Sequence, residues 1–196
     1  MELMKSSIAA IIGNIVAAEA YLVEEEIDNF EQTIIDANNV FVIGAGRSGL
    51  AAKAFAMRLM HLGISAYVVG ETITPAIYEG DCIIAISGSG ETNNIVAAVK
   101  VAKDRGSKVL AVTSYPDSSL GQVADAIVMV KGRTKQEAED DDYMKRKIEG
   151  NYTLLTPLGT AFELTSLVFL DGIVSELMDK LHKTEADLKY RHTVLE

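Results

Sequence analysis

Short, continuously apolar runs alternate along the chain with longer stretches in which apolar residues recur at helical spacing. Runs without polar alternation are typical of strands that are buried on both faces of a sheet. The helical stretches end near Gly63 and Lys103, and a shorter helix is predicted at 119–123. This alternation predicts an α/β fold with a doubly wound parallel sheet and helices on both faces. The predicted strands are 40–43, 66–69, 82–87, 108–113 and 126–130.

Helical spacing also extends over the first part of the chain, before the first predicted strand. Residues 3–38 are predicted to be helical, because isoleucines and other apolar residues recur there at i, i+3 and i+4. Gly13 and the acidic run Glu24-Glu25-Glu26 are the two places where an interruption is expected. The sheet is therefore expected to have an extra N-terminal helical segment.

Beyond the last predicted strand the pattern changes twice. Residues 132–150 are irregular and rich in charges of both signs, as expected for a loop, a flap or an arm that faces a partner. Thr156 and Pro157 then open an amphipathic helix, predicted at 158–181, since proline is favoured in a first turn. The polar tail is expected to be partly helical. We interpret the chain as one domain with segments 1–38, 39–131, 132–150 and 151–196.

Composition and charge narrow the class of protein and of ligand. Of the 196 residues, 48% are apolar and 23% are charged, which is ordinary for a globular protein. The 18 Lys and Arg against 28 Asp and Glu give a net charge of −10. A protein this acidic is a poor binder of nucleic acid or of anionic membranes. An anionic ligand would therefore have to be held by local geometry.

Cysteine usage and uncharged length argue against a metal centre and a membrane protein. Cys82 is the single cysteine, which excludes an internal disulfide and a multi-cysteine zinc site, and its thiol is expected to be buried. The longest uncharged stretch, residues 6–18, is shorter than the ~20 residues that span a bilayer. It resembles a signal peptide only loosely, because Glu2 offsets Lys5. We expect a cytoplasmic protein without a metal or cofactor.

The first glycine-rich loop follows the first predicted strand. Its sequence, Gly44-Ala45-Gly46-Arg47-Ser48-Gly49, has the glycine spacing of a dinucleotide-binding turn, and Glu71 is placed where such sites hold a ribose. The same glycines are needed wherever a strand turns tightly into a helix. A nicotinamide-binding protein is therefore one hypothesis, although the chain has no separate catalytic domain for it.

The second glycine-rich loop is more specific. It reads Ser87-Gly88-Ser89-Gly90-Glu91-Thr92 and joins the third predicted strand to a helix. Hydroxyl groups, free backbone N–H groups and the positive end of the helix dipole all favour a bound phosphate. Ser48 can reach the same anion if the first and third strands are neighbours. The alternative is that Thr92 merely caps its helix and the serines fill a turn. Capping explains one hydroxyl and leaves Ser87 and Ser89 unexplained.

The two motifs resemble those of the sugar isomerase (SIS) domain family, whose members bind sugar phosphates. The motifs in question are Gly44-x-Gly46-x-Ser48 and the loop 87–92. Within the family, the chain closely resembles the 6-phospho-3-hexuloisomerases, and the similarity covers essentially the whole sequence. The stretches that carry this closer similarity are 55–63, 70–75, 157–163 and Arg191-His192.

The resemblance implies a flavodoxin-like five-stranded sheet, a homodimer or homotetramer, and a sugar phosphate as the ligand. It implies that 3-hexulose 6-phosphate and fructose 6-phosphate are interconverted, in formaldehyde fixation or pentose phosphate supply (the ribulose monophosphate pathway). Motif matching assigns the phosphate to the serine and threonine hydroxyls and makes Glu163 the catalytic carboxylate. The predicted substrate-binding residues are Ser48, Ser87, Ser89, Thr92, Arg47, Gly46, Gly88 and Gly90.

The implied reaction narrows the roles of the titratable residues. Moving a ketone from C3 to C2 takes a proton from C2 and returns one at C3, through an enediol, without a metal. Glu163 suits this base if it is partly buried; the alternative is a solvent-facing residue in a first helical turn. For the second proton carrier, His61 is the first choice and His192 the second, and related isomerases take such a histidine from a neighbouring subunit. Arg47 either reaches the sugar phosphate or pairs with an acidic surface residue.

Two other functions remain open at this point. The chain could be a non-catalytic module that binds a sugar phosphate and regulates a partner, although it lacks a basic DNA-binding segment. It could also be an isomerase of a related sugar phosphate, such as arabinose 5-phosphate. Both use the same phosphate loop, so the sequence of that loop does not separate them.

Overall fold

A computed structural model describes residues 1–132 and 160–194. In these ranges the chain forms five β-strands and six α-helices. The strands are β1 Val40–Gly44, β2 Ala66–Val68, β3 Cys82–Ile86, β4 Lys108–Thr113 and β5 Ala126–Met129. The helices are α1 Glu2–Ala18, α2 Glu24–Asp36, α3 Arg47–Leu62, α4 Asn93–Asp104, α5 Thr160–Lys180 and α6 Glu185–Arg191. The charged segment after Gly132 and the predicted helix start at Thr156-Pro157 lie outside the described residues.

All five strands are parallel, in the order β2-β1-β3-β4-β5. This is the predicted doubly wound, flavodoxin-like sheet. The order reverses between β1 and β3, because β2 lies on one side of β1 and the later strands on the other. In sheets of this kind the crevice for a ligand opens at the carboxyl ends of the two strands at that point. Both glycine-rich loops leave from these two ends.

The sheet is covered on both faces, which explains why its strands lack polar alternation. Along β1, Val40 and Val42 belong to one apolar core, while Phe41 and Ile43 belong to the other. The first core is completed by side chains of α2, α3 and α5, and the second by side chains of α4. Because both faces are buried, every position of β1 and β3 had to be apolar or small.

The predicted N-terminal helix is two helices rather than one. Gly13 lies inside α1 without interrupting it, so that expectation is wrong. The break comes later, at the short 3₁₀ turn Glu19–Tyr21 and the extended residue Leu22. The acidic run starts α2, where carboxylates stabilise the positive end of the helix dipole.

Of two short helices predicted from the sequence, one is absent and the other is present. Residues 119–123 form hydrogen-bonded turns and not the predicted helix. The chain rejoins the sheet directly afterwards, at Asp125, whose N–H donates to the Val109 carbonyl at 2.7 Å, and this leaves no room for a longer helix. The polar tail does contain the expected helix, α6. It begins with a capping box in which the Thr184 N–H donates to the Asp187 carboxylate at 2.8 Å.

Helix α1 has an uncovered apolar surface. Together with the turn that follows, over Glu2–Tyr21, it is long and apolar enough to cross a membrane by length and composition, and 6% of an 18-residue window within it is buried in the structure. The uncharged run 6–18 is by itself too short for this, and only the helix and the turn together reach the required length. The exposed apolar side chains on α1 are Leu3, Met4, Ile8, Ile12 and Val16.

Candidate active site

The two glycine-rich loops start side by side at the reversal point of the sheet. Gly44, the last residue of β1, is in register with Ile86, the last residue of β3. The loops 45–49 and 87–92 therefore emerge next to each other above the carboxyl ends of these strands. The condition for Ser48 to approach the second loop, that β1 and β3 are neighbours, is met.

Close packing explains the glycines of the first loop. A Cβ at Gly44 would lie 2.7 Å from the backbone of Ser48, and a Cβ at Gly49 would lie 2.8 Å from the Gly44 carbonyl oxygen. The strand can turn directly into α3 only because both side chains are absent. Glu71, the residue considered for a dinucleotide ribose, forms a salt bridge with Lys53 at 3.3 Å. The glycine spacing is thus accounted for by the strand-to-helix turn without a dinucleotide.

The hydroxyls of the second loop face one another. The Ser87 Oγ and Thr92 Oγ1 atoms are 3.2 Å apart, within hydrogen-bond distance. Thr92 occupies the N-cap position of α4, but its side chain makes no capping hydrogen bond. The part of the alternative in which Thr92 caps its helix is therefore wrong, whereas Ser89 does take part in the turn, since its Oγ atom accepts a hydrogen bond from the Glu91 N–H at 3.2 Å. The Thr92 hydroxyl instead bonds to the Ser87 hydroxyl of the same loop.

Glycine also fixes the course of the second loop. Gly90 has a φ of 65°, in the left-handed region, and a Cβ there would collide with the Ser118 hydroxyl. The Gly90 N–H donates to the Ser87 carbonyl at 3.1 Å, which closes a tight turn. The turn leads into α4, whose first N–H groups lack partners within the helix and favour an anion.

The one acidic side chain of this loop is held by a specific partner. The Glu91 carboxylate accepts hydrogen bonds from the Ser119 N–H at 2.7 Å and from the Ser119 hydroxyl at 2.6 Å. These bonds lower the pKa of Glu91. The carboxylate is thereby kept ionised and tied to the turn at Ser119.

Helix α5 brings a carboxylate to the rim of the two loops. A Cβ at Gly88 would lie 3.0 Å from the ring of Phe162, and a Cβ at Gly132 would collide with the Phe162 backbone. The first turn of α5 is therefore packed closely on the second loop. Glu163 follows directly, and its side chain is 16% exposed. The solvent-facing alternative for Glu163 does not fit this placement.

Arg47 contacts the proposed base. Its Nε atom donates to Glu163 Oε2 at 2.9 Å, across 116 positions of sequence. The sequence allowed a phosphate contact or an acidic surface partner for Arg47, but it gave no signal that the partner is Glu163. The contact arises because α3 and α5 both begin at the same edge of the sheet.

The two candidate histidines lie together but at the other end of α3. His61 follows Arg47 by 14 helical residues, which corresponds to about 21 Å along the helix axis. Its side chain is buried and its ring stacks on that of His192, with 5.2 Å between centroids. Burial lowers the pKa of His61, with smaller contributions from His192 and Arg58. Within one chain, neither histidine is brought to Glu163.

The two loops and the sheet that carries them also match a known protein family. The family model of the SIS domain matches residues 33–138, which include both loops and β1 to β5. This chain belongs to the SIS domain family. Among the described residues of this SIS protein, no three His, Cys, Asp or Glu side chains are grouped as metal ligands.

Relatives are similar over nearly their full length. The SIS protein is 53% identical to an uncharacterised protein of Archaeoglobus fulgidus over 88% of each chain. It is 38% identical to the 3-hexulose-6-phosphate isomerase of Bacillus subtilis, over 96% of this chain and 97% of the relative. A crystal structure from Methanococcus jannaschii, for which a function as 3-hexulose-6-phosphate isomerase was inferred, is 32% identical. It superposes with a TM-score of 0.78 over 96% of this chain and 98% of that chain.

Proposed function

We propose that this SIS protein is a sugar-phosphate isomerase that interconverts a 3-hexulose 6-phosphate and fructose 6-phosphate. The observation that carries the proposal is the placement of Glu163, a largely shielded carboxylate, at the rim of two hydroxyl-bearing loops. A phosphate site beside a positioned base is what an aldose–ketose type of isomerisation requires. The relatives named 3-hexulose-6-phosphate isomerase support the choice of substrate.

The phosphate is proposed to bind between the two loops. In the free protein, the Ser87 and Thr92 hydroxyls bond to each other, and in the complex each donates to a phosphate oxygen instead. Ser48 and Ser89 contribute further hydroxyls from the same two loops. Together with the N-terminus of α4, these short-range contacts hold an anion on a chain whose net charge is −10.

Glu163 is proposed to carry the proton between the two carbons. It takes the proton from C2 of the 3-ulose while the C3 carbonyl oxygen gains a proton, which gives the enediol. The O2 hydroxyl then loses its proton as a C2 carbonyl forms, and Glu163 returns a proton to C3. No atoms or electrons are gained or lost overall, so the residues described need no external oxidant or reductant.

A second group has to move the proton between O2 and O3. We propose His61 or His192 for this role, on the condition that the histidine acts in the site of another subunit. Because the pair lies about 21 Å from Arg47 along α3, it could serve only the site of a neighbouring copy. His192 is the exposed member of the pair, whereas His61 is buried beneath it.

A homodimer or homotetramer is the proposed assembly. The apolar face of α1 supports this, since an exposed patch of this kind marks a contact surface. Size-exclusion chromatography with light scattering should give two or four times the chain mass of 21.1 kDa. Flotation of the protein with lipid vesicles would instead assign α1 to a membrane, and would contradict both the assembly and the proposed cytoplasmic location.

The decisive experiment is a coupled assay with a matched pair of variants. A hexulose-phosphate synthase makes 3-hexulose 6-phosphate from ribulose 5-phosphate and formaldehyde, and fructose 6-phosphate formation is followed. Glu163→Gln should lower kcat by about 10³-fold or more, because the amide cannot accept the proton. Glu176→Gln, an exposed glutamate on the same helix, is the control and should keep wild-type kcat.

Two results would overturn the proposal. A wild-type protein that binds fructose 6-phosphate but turns over no hexulose phosphate is a sugar-phosphate sensor. A wild-type protein that converts arabinose 5-phosphate to ribulose 5-phosphate, and not the hexulose phosphate, is an isomerase of the related substrate. The same assay with both substrates separates these cases.

A further inference from the structure

The salt bridge between Arg47 and Glu163 connects the phosphate loops to the proposed base. Arg47 is the first residue of α3 and directly precedes Ser48, while Glu163 lies in the first turn of α5. The bond runs from Nε to Oε2 at 2.9 Å. One oxygen of the carboxylate is thus held by a residue of the first loop, and Oε1 lies outside the salt bridge.

This salt bridge is poorly suited to a purely structural role. The Arg47 side chain is 52% exposed, and ion pairs with so exposed a partner add little to the stability of a fold. A guanidinium carries five N–H donors in a planar fork, and the bond to Glu163 uses only the one on Nε. The Nη donors can bind a phosphate oxygen at the same time, since such a fork fits phosphate well.

We propose that Arg47 is a positioning residue that aligns the Glu163 carboxylate and ties its position to the substrate phosphate. Nε–H holds Oε2, and the Nη groups bind the phosphate seated beside Ser48. With Oε2 held, Oε1 is the atom that faces the sugar and takes the proton. The inference rests on the proposed isomerase function and adds a physical link between phosphate binding and the alignment of the base.

The test is a comparison of kcat and KM for arginine variants in the same coupled assay. Arg47→Gln should lower kcat by about 10- to 100-fold and raise KM by a smaller factor, because base alignment and one phosphate contact are both lost. Arg47→Lys should recover part of kcat, since a lysine keeps the charge but not the fork. Arg105→Gln, at the C-cap of α4 at the opposite end of the sheet, is the control and should match wild type.

Chemical rescue adds a readout that a structural role would not move. Millimolar guanidinium chloride should raise the kcat of Arg47→Ala several-fold and leave wild type and Arg105→Ala unchanged. An Arg47→Gln variant with wild-type kcat and a raised KM would overturn the inference and leave the isomerase intact, since Arg47 would then bind phosphate only. A folded Arg47→Ala variant with low kcat that guanidinium does not restore would also overturn it. A wild type without turnover would overturn the proposed function and this inference together.

Discussion

The ring of Phe162 lies against the α-carbon of Gly88, so closely that a Cβ at this position would sit 3.0 Å from two ring atoms. Gly88 belongs to the loop that is proposed to hold the phosphate, and Phe162 directly precedes Glu163. The contact therefore sets the distance between the phosphate loop and the proposed base. It joins two segments that are far apart in the sequence.

Adding a methyl group at this contact should impair catalysis more than folding. In Gly88→Ala, the Phe162 ring has to move by a few tenths of an ångström, and the Glu163 carboxylate moves with it. We expect kcat to fall by about tenfold or more, because small misplacements of a base are costly. The coupled assay measures this effect.

Gly172→Ala is the matched control for Gly88→Ala. Gly172 lies on the same helix, α5, and a Cβ there meets nothing within 4 Å. It should keep wild-type kcat and stabilise the fold by about 0.4–1 kcal/mol, as expected for glycine replaced within a helix. Equal kcat values for Gly88→Ala and Gly172→Ala would contradict the positioning role of Phe162.

The hydroxyl pair of the second loop gives a prediction for substrate affinity. Thr92→Val keeps the shape of the side chain but removes the hydroxyl that lies 3.2 Å from Ser87 Oγ. A hydrogen bond to a charged group contributes about 1.5–3 kcal/mol, so KM should rise by roughly 10- to 100-fold. Thr92→Ser retains the hydroxyl and should stay within a few-fold of wild type. Because Thr92 makes no capping bond, urea unfolding of Thr92→Val should show little loss of stability.

The ion pair between the buried Glu31 carboxylate and the partly exposed Lys180, which also bonds to Asp28, predicts a pH-dependent stability defect in a Lys180 variant. Glu31 is 1% exposed, and Lys180 Nζ lies 2.7 Å from its Oε2 atom. Burial raises the pKa of Glu31, and the hydrogen bond from Lys180 partly opposes this. Lys180→Met should lower the free energy of unfolding by about 2–4 kcal/mol at pH 7, because it leaves a buried charge without a partner.

The sign of the pH dependence follows from the raised pKa. The folded state takes up a proton on Glu31 more readily than the unfolded state does. The loss of stability in Lys180→Met, which comes from the ionised Glu31 carboxylate, is therefore present at neutral pH. It should shrink as the pH falls toward the unfolded value of 4.5 and Glu31 becomes neutral. Urea titrations of Lys180→Met between pH 7 and 4.5 check this. The double variant Glu31→Leu with Lys180→Met should recover stability at pH 7, and a defect that is constant with pH would contradict the assignment.

The single cysteine reports on the unfolding of the central strand. Cys82 is fully buried in β3, and burial, with a contribution from Asp81, raises the pKa of its thiol to about 12. In the native protein the thiol should react with an aromatic disulfide reagent at least about 1,000-fold more slowly than in 6–8 M urea, since only an opened state exposes the thiolate. Rapid labelling without denaturant would show that β3 opens locally, against its central place in the sheet.

Much of the sheet could be predicted because buried parallel strands leave a local signal. β4 was predicted at its observed bounds, and the other four strands within one residue, since each is a largely apolar run between breakers. The N-terminal helix and residues 119–123 were predicted less well. Helical spacing alone did not show that α1 ends at Ala18, or that the turns after Ser119 stop where the chain rejoins the sheet.

In the candidate site too, features set by neighbouring residues could be predicted, and contacts between distant segments could not. The sequence by itself determined the order of strands and helices, the two glycine-rich loops and the hydroxyls they carry, because these depend on neighbouring residues. Only the tertiary structure decided that Arg47 bonds to Glu163 and that Phe162 packs on Gly88. It also decided that His61 and His192 stack together away from the base. These contacts depend on how α3, α5 and α6 pack around the edge of the sheet, and the packing of distant segments leaves no periodic pattern in the chain.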